Sequence, residues 1–90
     1  MNKAELVAAV SERSGLPSAQ VRSTLDTVID VVSGVLASGE EVRLVGFGSF
    51  SVGFRPAGPA RNPRTGEAVR RAAARTVRFR PGEGLRRVLN

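Results

Sequence analysis

The chain has 90 residues, of which 41% are hydrophobic, and its 14 basic and 8 acidic side chains give a formal net charge of +6. A chain of this length forms one small domain with a limited core, so dimerisation is the simplest way to enlarge that core. It contains no Cys and no His, which removes disulfides, a thiolate nucleophile, the usual general base and the commonest zinc ligands. We therefore expect no enzyme activity, no cofactor, no metal and no small-molecule substrate.

The N-terminal residues do not indicate a membrane protein. Residues 1–5 do not form a basic region followed by a long apolar stretch. No apolar run in the chain approaches the roughly 20 residues that a membrane-spanning helix needs. We expect a soluble cytoplasmic protein without a membrane partner.

The charge is unevenly distributed along the chain. Residues 1–42 carry three basic and six acidic side chains, whereas residues 43–90 carry eleven arginines and two glutamates. Clustered cations favour a polyanionic partner, because they release condensed counterions from phosphates on binding. The excess of Arg over Lys suits phosphate recognition, although a GC-rich genome would produce the same bias.

The first two elements are predicted to be helices. Asn2 followed by Glu5 resembles a capping box, and the apolar spacing that follows predicts a short helix ending near Ser14-Gly15. Pro17 suits the first turn of a second helix, which Gly39 stops. Its apolar stripe consists of Val21, Leu25, Val28, Val32 and Val35. This stripe is typical of an internal core, and it is also long enough for a second copy to cover part of it.

The pattern then changes to the alternation of β-strands. Val42 and Leu44 belong to one predicted strand, and Phe50, Val52 and Phe54 to the next. Between them, Gly46-Phe47-Gly48 predicts a tight turn that buries one large side chain.

Residues 55–75 are basic and almost devoid of large apolar side chains, so they cannot form a core of their own. In their middle, Arg61-Asn62-Pro63-Arg64-Thr65-Gly66 predicts the tip of a long hairpin. A disordered linker is the alternative, but Thr76–Arg80 alternates again as a third strand, which favours an arm between two paired strands. After Pro81-Gly82, residues 85–89 predict a short C-terminal helix.

Three motifs together carry a resemblance over the whole chain: Gly46-Phe47-Gly48-Ser49-Phe50, Arg61-Asn62-Pro63-Arg64-Thr65-Gly66, and Phe79 with Gly82. In this order and spacing the sequence resembles the HU and integration host factor family of bacterial DNA-bending proteins. The resemblance implies an α+β fold, with two N-terminal helices, a short C-terminal helix and a three-stranded antiparallel sheet extended into a β-ribbon arm. It also implies one domain over 1–90 in an intertwined homodimer, with 1–54 and 76–90 as the dimer body and 55–75 as the DNA-binding arm. Phe47, Phe50 and Phe79 would lie in the dimer core.

The function implied by the resemblance is that of a histone-like architectural protein of the bacterial nucleoid. It would bind duplex DNA with little sequence specificity, insert Pro63 from the arm tip into the minor groove, and bend, wrap and stabilise the DNA. Bent, nicked or gapped DNA should be preferred, because its bases are already partly unstacked. The DNA-binding residues expected from the resemblance and the charge pattern are Lys3, Arg55, Arg61, Asn62, Pro63, Arg64, Arg70, Arg71, Arg75, Arg78, Arg80 and Arg86.

The sequence departs from the family pattern at several positions. Family members often carry basic residues at the positions of Gly53, Gly58 and Glu83, a glycine at that of Ala60 and an apolar residue at that of Arg71. Glu83 adds repulsion towards phosphates, while Arg70 and Arg71 shift the basic track towards the arm.

Two alternative functions stay open at this point. One is site-specific DNA bending of the integration host factor type, which Phe79-Arg80-Pro81-Gly82 resembles. The other is a basic module for structured RNA or protein assembly, although the chain has no aromatic-rich RNA-binding signature. Asp26 and Asp30 stand one helical turn apart, and we interpret them as part of a solvated face and not as a catalytic pair.

Overall fold

The computed structural model describes residues 1–90 and contains three helices and five strands. The elements are α1 (Lys3–Ser14), α2 (Ser18–Ala37), β1 (Val42–Leu44), β2 (Gly48–Arg55), β3 (Gly58–Arg61), β4 (Ala68–Arg71), β5 (Ala74–Pro81) and α3 (Glu83–Leu89). They divide into two compact units, Met1–Gly34 and Val35–Asn90. No helix combines the length and the apolar character that a membrane crossing requires.

Helix α1 begins and ends at the residues that the sequence predicts. The Asn2 side chain caps its N-terminus, where Oδ1 accepts a hydrogen bond of 2.8 Å from the Glu5 amide. At the other end, Gly15 adopts φ 76° and its N–H donates to the Ser11 carbonyl at 3.0 Å. This left-handed conformation is one that glycine adopts at little cost, which explains the stop.

Helix α2 is also confirmed, and its C-terminus has a complete Schellman motif. Gly39 has φ 91°, its N–H donates to the Leu36 carbonyl at 2.9 Å, and the Glu40 N–H donates to the Val35 carbonyl at 3.2 Å. These are the two hydrogen bonds that define the motif, and they satisfy two carbonyls that a helix end leaves free.

The unit formed by residues 1–34 has a very small core. Val7 and Val21 are its only buried apolar residues, and Val31 is 59% exposed. A groove of about 210 Å³ runs beside them and is lined by Leu6, Val10, Leu16, Val21, Thr24, Leu25 and Val28. The apolar face of α2 therefore remains open to solvent in the single chain.

The unit formed by residues 35–90 contains both sheets. A three-stranded antiparallel sheet has the order β1-β2-β5, and Phe50 on its central strand lies opposite Val42 on one side and Phe79 on the other. Strands β3 and β4 form a separate two-stranded antiparallel ribbon. The chain passes from sheet to ribbon at residues 56–57 and returns at 72–73. The predicted helices, sheet and ribbon are thus confirmed.

Candidate nucleic-acid interface

The register of the three-stranded sheet separates apolar from basic side chains. Directly opposed residues share a face, so Arg80 lies beside Ser49 and Arg78 beside Ser51, while Phe50, Phe79, Val52 and Val77 occupy the other face. One face of the sheet is therefore polar and cationic.

Arg43 also belongs to this basic face, although it is not among the DNA-binding residues predicted from the sequence. It lies opposite Ser49 on the side away from Arg80, and its Nη2 is 3.4 Å from Oε1 of Glu41. A groove of about 340 Å³ at this edge is lined by residues that include Arg43, Ser49 and Arg80. The alternation of Val42, Arg43 and Leu44 in the sequence already indicated this position, because it places the Arg43 side chain on the other face of the strand from the two apolar side chains.

Gly53 makes room for one of the predicted arginines. A Cβ atom built on Gly53 would lie 2.6 Å from Nε of Arg78 and 3.0 Å from Oγ1 of Thr76. The Arg78 side chain thus lies directly over the Gly53 backbone. The absence of a side chain at position 53 is what allows Arg78 to lie there.

The predicted dimer-core aromatics contact one another within the single chain. The ring centroid of Phe79 is 4.8 Å from that of Phe50 and 5.6 Å from that of Phe47. These distances are typical of favourable aromatic pairs. Phe79 is nevertheless 40% exposed and Phe47 is 48% exposed, so the cluster leaves a large apolar area uncovered.

The turn before β2 contacts the start of α3 through glycine backbones. The Gly82 N–H donates to the Phe47 carbonyl at 2.7 Å, and the Leu85 N–H donates to the Gly46 carbonyl at 3.0 Å. A Cβ on Gly82 would lie 2.9 Å from the Gly46 carbonyl carbon, and a Cβ on Gly84 would lie 2.7 Å from its oxygen. This close approach explains the glycines at positions 82 and 84, whereas Gly46 is favoured by its own left-handed backbone, with φ 86°.

The tip of the predicted hairpin is an ordered turn that presents a proline. The Asn62 N–H donates to the Glu67 carbonyl at 2.9 Å, and the Gly66 N–H donates to the Asn62 carbonyl at 2.7 Å. The Asn62 Oδ1 atom accepts a further bond of 2.9 Å from the Arg64 amide. Pro63 lies within this turn and is exposed.

The predicted DNA-binding arginines differ in whether their side chains form hydrogen bonds within the chain. Three of them donate to backbone carbonyls: Arg61 to Gly66 at 3.1 Å, Arg55 to Ala72 at 3.5 Å and Arg75 to Ala37 at 3.0 Å. Arg55 and Arg75 lie at the ends of β2 and β5, within the three-stranded sheet. The Nε atom of Arg55 is buried without a hydrogen-bond partner.

The other predicted arginines make no side-chain hydrogen bond or ion pair within the chain, and all are exposed: Arg64, Arg70, Arg71, Arg78, Arg80 and Arg86. Glu67 is the only acid among residues 55–75. An unpaired, exposed guanidinium beside so little negative charge is available for phosphate oxygens.

Lys3 differs from these arginines because it already has an acidic partner. Its Nζ forms an ion pair with Oδ1 of Asp26, which links α1 to α2 within the first unit. Both side chains are about half exposed, so the pair is solvated and weak. A phosphate would have to compete with Asp26 for this ammonium group.

Comparison with known proteins gives consistent matches along the whole chain. The family model described as bacterial DNA-binding protein matches residues 1–90. DNA-binding protein HU of Caulobacter vibrioides is 52% identical over 88 residues, covering 98% of this chain and 96% of the relative. DNA-binding protein HRm of Rhizobium meliloti is 46% identical over 90 residues and covers 100% of both chains.

A solved structure agrees with these sequence relatives. HU in the Anabaena HU–DNA cocrystal structure superimposes with a TM-score of 0.88 at 37% identity, covering 99% of this chain and 97% of the other. The resemblance stated from the three motifs is confirmed, and the chain belongs to the bacterial DNA-binding protein family that includes the HU proteins.

Proposed function

We propose that this protein binds duplex DNA as a homodimer and bends it by inserting Pro63 of each arm into the minor groove. Residues 1–54 and 76–90 form the dimer body, and residues 55–75 form the arm. Binding depends little on base sequence, and the protein bends, wraps and stabilises DNA in the bacterial nucleoid.

The observation that carries this proposal is the arm tip. Pro63 is exposed in a turn closed by hydrogen bonds from Asn62 and Gly66, and Arg61 and Arg64 stand on either side of it. A proline ring is rigid and apolar and has no N–H that would lose a hydrogen bond to water. Such a ring can replace base stacking at a kinked step while the neighbouring cations hold phosphates.

Electrostatics support a nucleic acid as the partner of the arm. Arg64, Arg70 and Arg71 are exposed and unpaired, and Glu67 is the only acid nearby. Each phosphate that such a cation neutralises releases counterions, so affinity falls steeply as salt rises. Because unstacking costs a few kcal/mol per step, gapped, nicked or bent DNA should bind more tightly than intact duplex.

The proposed dimer follows from the apolar surface that the single chain leaves open. Only Val7 and Val21 are buried apolar residues, while Val31 is 59% exposed and Phe47 and Phe79 are about half exposed. Exposed apolar area of this extent is typical of a surface that a partner covers. A second copy would cover exposed apolar surface of this kind and would supply the second arm.

Low sequence specificity is supported by the chemistry at the tip. The Asn62 side chain, the one amide there, already accepts the Arg64 N–H through Oδ1. The remaining side chains are a proline, guanidinium groups and the Thr65 hydroxyl, which accepts a hydrogen bond of 3.2 Å from the Glu67 amide. The minor groove itself distinguishes little beyond A·T from G·C pairs. This arrangement favours general DNA bending over site-specific bending.

Gel-shift titrations with three ligands test the proposal: a duplex with a central gap, the same duplex intact, and an RNA hairpin of equal length. Each is measured at about 50 and about 200 mM salt, where phosphate-dominated binding weakens by orders of magnitude. We expect the tightest binding to the gapped duplex. Equal binding to all three would indicate a nonspecific cation, and tighter binding to the hairpin would indicate an RNA-binding module.

A further inference from the structure

The capping motif at the C-terminus of α2 leaves the carbonyl of Ala37 without a backbone donor. The Schellman hydrogen bonds from Gly39 and Glu40 satisfy the carbonyls of Leu36 and Val35. Ala37 is the last residue of α2, and its carbonyl accepts no hydrogen bond from these two amides. The negative end of the helix dipole is concentrated on such free carbonyls.

Arg75 supplies the missing partner. Its Nη1 atom donates to the Ala37 carbonyl at 3.0 Å, across 38 positions of sequence. The last turn of α2 contains no basic residue, so a cation from β5 performs the capping that a lysine or arginine within the helix often performs. The contact therefore combines a hydrogen bond with a favourable charge–dipole interaction.

The position of Arg75 makes this contact relevant to the arm. Arg75 is the second residue of β5 and lies opposite Phe54, near the end of β2. Immediately before β5, residues 72–73 connect it to β4 of the ribbon. The Arg75–Ala37 contact thus fixes the base of the arm to the end of a helix.

We infer that Arg75 is a positioning residue that anchors the base of the arm and sets its direction, and is not one of the phosphate contacts. This inference rests on the proposed DNA-bending function. Arg70 and Arg71 on β4 provide the contrast, because they are exposed and make no side-chain hydrogen bond within the chain. An anchored arm delivers Pro63 to the duplex at a defined angle, whereas a loose one would bind without bending fully.

The experiment compares Arg75→Ala with Arg70→Ala in the full-length protein, using three measurements. Amide hydrogen exchange of the free protein reports on Gly39 and Glu40. The salt dependence of binding to a gapped duplex counts phosphate contacts. Fluorescence transfer between the labelled ends of that duplex, at saturating protein, reports the bend.

For Arg75→Ala we expect exchange at Gly39 and Glu40 to rise roughly three- to tenfold, because one hydrogen bond at the helix end is lost. Transfer at saturation should fall, while the slope of log Kd against log salt should stay the same. Arg70→Ala should differ in both respects: its amide exchange at Gly39 and Glu40 should match that of the unsubstituted protein, and its salt slope should fall by about 0.9 per arm. Arg75→Lys keeps a hydrogen-bond donor and a positive charge. Its exchange rates at Gly39 and Glu40 and its fluorescence transfer should therefore match those of the unsubstituted protein.

Two results would overturn the inference. One is a drop in salt slope for Arg75→Ala equal to that of Arg70→Ala, with an unchanged bend, which would make Arg75 a phosphate contact. The other is unchanged exchange at Gly39 and Glu40, which would show that Arg75 does not stabilise the helix end. If the unsubstituted protein did not bend DNA, the proposed function would fail, and exchange in the free protein would still decide whether Arg75 is an anchor.

Discussion

Replacing Pro63 by alanine removes the proposed wedge while leaving the turn that carries it. The hydrogen bonds that close the tip are donated by the amides of Asn62, Arg64 and Gly66 to acceptors on Glu67 and Asn62, and none involves Pro63. The substitution deletes two ring carbons that would be buried between base pairs. At about 0.8 kcal/mol per buried methylene, each arm loses roughly 1.6 kcal/mol, which corresponds to roughly 15-fold in affinity.

A dimer that inserts both prolines should therefore bind gapped duplex up to about 200-fold more weakly after Pro63→Ala, if the two arms contribute additively. Binding that relies on phosphates alone should change little, so the preference for gapped over intact duplex should largely disappear. Alanine also increases the freedom of the unbound tip, but such backbone effects amount to about 0.4 to 1 kcal/mol and act equally on every ligand.

The assay measures both affinity for the two duplexes and end-to-end fluorescence transfer at saturation. Pro59→Ala is the matched control, because Pro59 lies on β3 opposite Arg70 and away from the tip. We expect Pro59→Ala to behave like the unsubstituted protein. An unchanged bend and an unchanged preference for gapped DNA in Pro63→Ala would refute the wedge and reduce Pro63 to a turn residue.

Two further predictions concern the body of the protein. Phe79→Ala should lower the free energy of unfolding by about 3 kcal/mol and promote dissociation to monomers, because the ring packs on both Phe47 and Phe50. Analytical ultracentrifugation that showed an intact, equally stable dimer would contradict this prediction. Gly82→Ala should destabilise by about 1 to 3 kcal/mol, since its Cβ would lie 2.9 Å from the Gly46 backbone. Gly58→Ala is the control, because a Cβ there meets nothing within 4 Å. If thermal unfolding showed the same loss of stability for both variants, the close contact at Gly82 would not be the cause.

Local patterns in the sequence were sufficient to predict the helices, strands and hairpin tip. Asn2 caps α1 and Gly39 stops α2 through interactions within a few residues, so their effects could be predicted without knowing the rest of the fold. The alternation around Phe50 and Phe79 likewise depends on the pleat of a strand alone.

Contacts between distant residues could not be predicted in this way. Arg75 shares its residue type with the arm cations, and only the folded chain reveals its bond to Ala37, 38 positions away. The approach of Gly82 to Gly46 depends on how α3 meets the turn. Arg78 lies over Gly53 because β2 and β5 pair in the register that sets Thr76 opposite Gly53.

If this protein bends DNA when it binds, the two ends of a bound duplex come closer together, and fluorescence transfer between labels at those ends measures the change. The unsubstituted protein is titrated to saturation on gapped and intact duplexes, with binding followed independently by anisotropy. We expect transfer to rise in step with binding and to reach a higher plateau on the gapped duplex. Saturated binding with no change in transfer on either duplex would show that the protein binds DNA without bending it.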